Sequence, residues 1–154
     1  MKALSVLALT LLSSVSFGYG KVGDLANYNL TVVAQGKEVK GQNSMEVLSY
    51  DDTTKKFKLR SITVVNGDPQ VKDEEADQIF TPDTAKAMIG GCARPLETVV
   101  VPAGTFETCR IDLNNEGATG WIGNVPFGIV KVEEANTQQG VTVHVELVSF
   151  KDAQ

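Results

Sequence analysis

Two cysteines, Cys92 and Cys109, and a single histidine, His144, are the side chains of this 154-residue sequence best suited to chemistry. The cysteines admit two readings. Joined, they close a loop of about 17 residues, a cross-link worth on the order of 3 kcal/mol in the chain-entropy model. Free, one of them is a nucleophile with His144 as its base, which requires a reducing compartment. The residues that decide between these lie at the start of the chain. Lys2 is the only early charge, Ala3 to Val15 is apolar, and small residues follow at Ser16 and Gly18. That order is the order of a cleavable secretory signal, which sends the chain to an oxidising compartment and favours the Cys92–Cys109 disulfide.

His144 has no company for catalysis. One histidine cannot build a multi-histidine zinc site, and no Gly-x-Ser-x-Gly elbow offers a serine nucleophile. The acidic run Asp73, Glu74, Glu75 and Asp77 has carboxylate oxygens for a hard cation but lacks the glycine and spaced ligands of an EF-hand loop, so it reads as a solvated loop ahead of a helix. Gly90-Gly91 ends a helix, whereas phosphate-cradling glycines begin one. The expectation is therefore no catalytic residue, no metal and no cofactor. Four apolar side chains remain as candidates for holding a ligand: Met88, Ile89, Trp121 and Phe127. Their other reading is ordinary core packing.

The elements that must position these residues are mainly strands. Tyr28, Leu30, Val32 and Ala34 alternate with the polar Asn29 and Thr31, the period of a half-buried strand. Further strands are predicted over Met45 to Tyr50, Phe57 to Val65, Leu96 to Val101, Phe106 to Leu113, Ala118 to Ile122, Gly128 to Ala135 and Val141 to Lys151. Asn66-Gly67-Asp68-Pro69 is read as the end of the strand from Phe57 to Val65. On the last strand His144 shares a side with Thr142 and Glu146, opposite Val143, Val145 and Leu147. One short helix is predicted from Pro82 to Ile89, with Thr81 as its cap, Pro82 in its first turn and Gly90-Gly91 as its exit. Short connections force antiparallel neighbours. The architecture expected is mainly β: a twisted antiparallel meander or half-barrel with one short inserted helix.

Size and charge narrow the partners. Residues 1–20 read as the signal peptide and residues 21–154 as a single β-rich domain, with cleavage after Gly18 or Gly20. The apolar run is too short to span a bilayer and nothing later replaces it, so no membrane span is expected. Loss of Lys2 takes the formal charge from −5 to −6. An acidic chain without a basic patch argues against nucleic acid and anionic membrane as partners.

The segment Val101-Pro102-Ala103-Gly104-Thr105-Phe106, followed by Cys109, resembles a hairpin of several families of bacterial envelope proteins of unknown function. Trp121-Ile122, the stretch Val125-Pro126-Phe127-Gly128-Ile129-Val130-Lys131 and the opening Val22-Gly23-Asp24 with Tyr28 are similar to the same families. The resemblance implies a half-barrel like that of the Lol-system lipoprotein carriers, a curved sheet with a helix over its apolar hollow. Two functions follow as expectations. One is a non-catalytic periplasmic or secreted binding module holding a lipid, another apolar ligand or a partner's segment on the sheet. The other is a structural or protein-interaction domain of the cell envelope with a filled core. The first places an apolar hollow beneath the helix, with Trp121 near its mouth.

Overall fold

The computed structural model describes residues 21–77, 82–113, 117–136 and 140–153. The predicted signal peptide lies outside them, as does the capping residue Thr81. Among the described residues nine strands and one helix follow in order: β1 (Leu25–Ala34), β2 (Lys37–Asp51), β3 (Lys56–Val65), β4 (Asp68–Ala76), α1 (Pro82–Gly90), β5 (Glu97–Val101), β6 (Gly104–Asp112), β7 (Ala118–Ile122), β8 (Ile129–Asn136) and β9 (Val141–Lys151). All pairings are antiparallel, and the sheet is open, in the order β4-β3-β2-β1-β9-β8-β7-β6-β5. The meander is thus two meanders, β1–β4 and β5–β9, spliced where β1 pairs with β9. The two ends of the domain meet at the middle of its sheet.

β4 is a strand that the sequence reading placed in a loop. Asn66 and Gly67 both have positive φ, 54° and 80°, which makes them the two central residues of a type I′ hairpin turn. The chain therefore turns back at once and does not stop there. Pro69 is tolerated because β4 is the outermost strand, where a missing backbone donor costs no ladder bond. The acidic run is not a free loop either. Asp73 takes a two-pronged contact from Arg60 on β3, with Nε and a terminal nitrogen donating at 2.8 and 2.9 Å. Lys58 reaches Asp73 at 3.8 Å and Lys56 reaches Glu75 at 3.7 Å. The carboxylates answer a basic strand, and charge on an edge strand also discourages unwanted pairing.

One face of the sheet carries the core. Ala26, Tyr28, Leu30 and Val32 of β1 bury there, with Val143, Val145 and Leu147 of β9, as alternation predicts. The β5–β9 half rolls over this face. Ala103, at the tip of the β5–β6 hairpin, donates its backbone N–H to the Leu147 carbonyl at 3.1 Å, although β5 stands four strands from β9 in the sheet. α1 lies on the same face, against β6 and β7, with Ala85 fully buried and Met88 packed on the core. Its nine residues are too few to hold a helix alone. The Cys92–Cys109 disulfide ties its C-terminal exit to β6, with the Cα atoms 5.7 Å apart.

Candidate functional site

The four apolar candidates do not share one surface. Met88 packs against the core from α1, and Ile89 is partly buried beside it. Phe127 is buried in the turn between β7 and β8. That turn is closed by bonds from the Gly123 N–H to the Gly128 carbonyl and from the Gly128 N–H to the Val125 carbonyl. It folds inward: Val125, Pro126, Ile129 and Val130 are all buried with Phe127. Phe127 pays a conformational cost for this position, with a φ of 61° that non-glycine residues avoid. The segment is an apolar plug occupying the interior of the rolled half.

Trp121 lies on the opposite face. Its neighbour Ile122 is in the core, so strand alternation turns Trp121 outward. There it pairs in register with Arg110 on β6 and Lys131 on β8, and both cations lie over its ring, at 5.6 and 5.0 Å from the centroid. The indole Nε1 donates to Glu97 at 2.7 Å. Trp121 is nearly buried because polar side chains cover it, and it does not sit at the mouth of a space beneath α1.

The outer face holds the more open surface. A single cross-strand row runs Arg110, Trp121, Lys131, Glu146, Asn29, Gln42, Val64, from β6 to β3. Its last four members line a trough of about 520 Å³, together with the next row of His144, Thr31 and Lys40. A second hollow of about 320 Å³ continues it on the side of Asn27, Ser44 and Ile62. Gly41 of β2 and Val64 of β3 both border the trough. A Cβ on Gly41 would lie 2.7 Å from the Val64 carbonyl oxygen, so only glycine fits. The type I′ turn at Asn66-Gly67 closes one end. The trough is lined by the amides of Asn29, Gln42 and Asn66 and the Thr31 hydroxyl together with apolar surface from Leu30 and Val64, and Ile62 borders the second hollow.

His144 is where alternation put it, on this outer face between carboxylates. Its Nδ1 lies 3.6 Å from Glu133 and its Nε2 3.0 Å from Glu146, and Lys131 pairs with Glu133 at 2.7 Å. Among the described residues no group of three or more His, Cys, Asp or Glu side chains has an arrangement suited to a metal ion. The inner face also carries polarity. Asn43 donates to Ser61 and Thr63, each at 2.9 Å, within a strip next to the buried Tyr28. Burial pushes the Tyr28 hydroxyl well above its ordinary range, so it stays protonated.

No family model matches the sequence, and no curated protein does. Solved structures do resemble the fold. A protein of Bacteroides fragilis assigned as exported, with a YmcC-like fold, superposes with a TM-score of 0.54 at 14% identity, covering 89% of this chain and all of that one. A protein of Parabacteroides distasonis assigned as a lipoprotein gives 0.52 at 10% identity, over 88% of this chain and 99% of that one. MucB, solved in complex with MucA(peri), gives 0.49 at 8% identity, and this chain spans 53% of its length. At such identities the likeness is one of fold: an open antiparallel sheet with a helix on one face.

Proposed function

We propose that this domain is a non-catalytic binding module of the bacterial envelope that holds an extended segment of a partner protein in its outer trough. The observation that carries the reading is the trough itself: two neighbouring cross-strand rows rich in amide, hydroxyl and charged groups over a depression of about 520 Å³. From β9 to β3 the trough crosses three strand spacings, about 14 Å, the length of four or five residues of extended chain. Asn29, Gln42 and Thr31 offer donors and acceptors suited to peptide groups, and Val64 offers contact to one apolar side chain. The acyl-ligand version has less support, because Val125, Pro126 and Phe127 occupy interior volume that such a chain would need. The envelope assignment draws on the signal-like order of residues 1–20, the disulfide and the exported assignment of the Bacteroides protein. His144 serves in this reading as a hydrogen-bonding member of the trough wall.

One observation favours the rival reading, a structural or interaction domain working through its edges. β5 ends the sheet with Val100 72% exposed and Leu96 39% exposed, an edge less guarded by charge than β4. Selection of peptides from a random twelve-residue library separates the two. On the proposed reading, selected peptides shift the side-chain amide signals of Asn29 and Gln42, and Gln42→Ala weakens them about tenfold. Shifts confined to Leu96–Val101 would favour the edge reading. Copurified acyl lipid shifting Met88 and Phe127 would return the ligand to the interior.

A further inference from the structure

Asp24 is a carboxylate buried to 2% exposure at the start of the domain, and its partners are the backbone nitrogens of Lys21 and Ala153, 132 positions apart in the sequence. Lys21 N donates to Oδ2 at 2.8 Å and Ala153 N donates to Oδ1 at 2.8 Å. The Asp24 N–H returns a bond to the Lys21 carbonyl, and the Asp24 carbonyl accepts from Val47. Among the described residues no lysine, arginine or histidine side chain forms an ion pair with it. A buried charge held only by neutral donors is poorly compensated. The nitrogen on Oδ2 belongs to the residue that follows Gly20, one of the two positions where the sequence permits signal cleavage.

We infer that the export signal is removed between Gly20 and Lys21, and that the α-ammonium group so released pairs with the buried Asp24 carboxylate, locking the processed N-terminus beside the C-terminal end. Hydrolysis by a signal peptidase adds one water across the amide, leaving a carboxylate on Gly20 and the α-ammonium on Lys21. The nitrogen already touching Oδ2 then carries a full positive charge, and a neutral hydrogen bond becomes a charge-assisted one. Cleavage after Gly18 does not do this. It leaves Lys21 N an amide and puts the new charge two residues away, up to about 7 Å along extended chain. The local field also calls for a cation. The Asp152 carboxyl is pushed up by burial first and then by the charge of Asp24, with the Lys21 side chain opposing it. Asp24 thus reports completed processing: it already joins residue 21, the Val47 backbone of β2 and residue 153, and holds them more strongly once the leader is gone.

Two measurements test this. The full-length chain, expressed with its own leader in an export-competent bacterium, is purified from the envelope and its intact mass read. A chain beginning at Lys21 is expected; one beginning at Tyr19, or retaining Met1, overturns the cleavage assignment. Separately, a chain released from a fusion to begin at Lys21 is compared with one carrying a single extra alanine ahead of it, which turns the α-amine into an amide and changes little else. The Lys21 chain is expected to have an unfolding equilibrium constant about tenfold smaller, the scale of one hydrogen bond gaining charge. Equal stability of the two chains overturns the ion pair. Nα-acetylation of the Lys21 chain should abolish its advantage, and Asp24→Asn should make the two chains equivalent.

Discussion

Replacing both cysteines by alanine tests how the helix is held. The bridge closes a loop of 17 residues that contains the link from α1 to β5 and most of the β5–β6 hairpin. Opening it returns to the unfolded chain an entropy worth about 3 kcal/mol. Alanine is the better choice than serine, because Cys109 is 4% exposed and a hydroxyl there would be buried without an assured partner. For a domain of this size 1 kcal/mol moves the melting midpoint by roughly 3–5 °C, so the double variant should melt about 10–15 °C lower. The loss should also be uneven. α1 has nine residues and packs on the core through Ala85 and Met88. Amide exchange over residues 82–91 should therefore speed up more than exchange in β1 or β9. Thermal unfolding followed by Trp121 emission gives the first quantity, and mass-resolved hydrogen exchange the second. A midpoint within 2 °C of the parent, with unchanged exchange in the helix, would refute the view that the disulfide holds α1 in place.

Three other outcomes follow from the geometry. Trp121→Phe loses the 2.7 Å bond to Glu97 and weakens the contacts of Arg110 and Lys131 with the ring, and should cost about 1–2 kcal/mol in urea unfolding. Phe127→Ala empties part of the plug while keeping its positive φ, and should cost about 3 kcal/mol or more, with new binding of a small apolar dye as the sign of an opened interior. The guanidinium of Arg60 holds the Asp73 carboxyl below its ordinary value. A lowered folded-state value means that the contribution is present above the unfolded value and lost as pH falls through the folded one. Asp73→Asn should therefore remove part of the decline in melting midpoint on acidification and leave the neutral-to-alkaline side flat.

Much of the fold was legible because period-2 alternation was strong where one face is buried. β1 is the clearest case, and β9 placed His144 on the polar side with Glu146, where the structure has it. β4 was lost to a conflict of signals. Asn66-Gly67 is a strong two-residue hairpin turn, but Pro69 and the acidic run argued for a loop, and only the sheet's edge reconciles them. The complementary charges of Lys56, Lys58 and Arg60 against Asp73 and Glu75 were the available clue. The site was less legible because it depends on register across strands distant in sequence. Nothing local says that Trp121 faces Arg110 and Lys131, or that Asn29 and Gln42 share a row with Glu146. The apolar residues of the β7–β8 turn could be read as the lining of a hollow or as its filling, and their inward fold makes them the filling.

The central claim, that the outer trough and not the space beneath α1 does the binding, is tested most directly by site-specific photo-cross-linking in intact cells. A photoreactive amino acid is placed at Gln42 in one variant and at Met88 in another. The account predicts a discrete protein adduct from Gln42, reduced when Asn29 and Thr31 are both replaced by alanine, and none from Met88. A lipid adduct from Met88, with no protein adduct from Gln42, would contradict it.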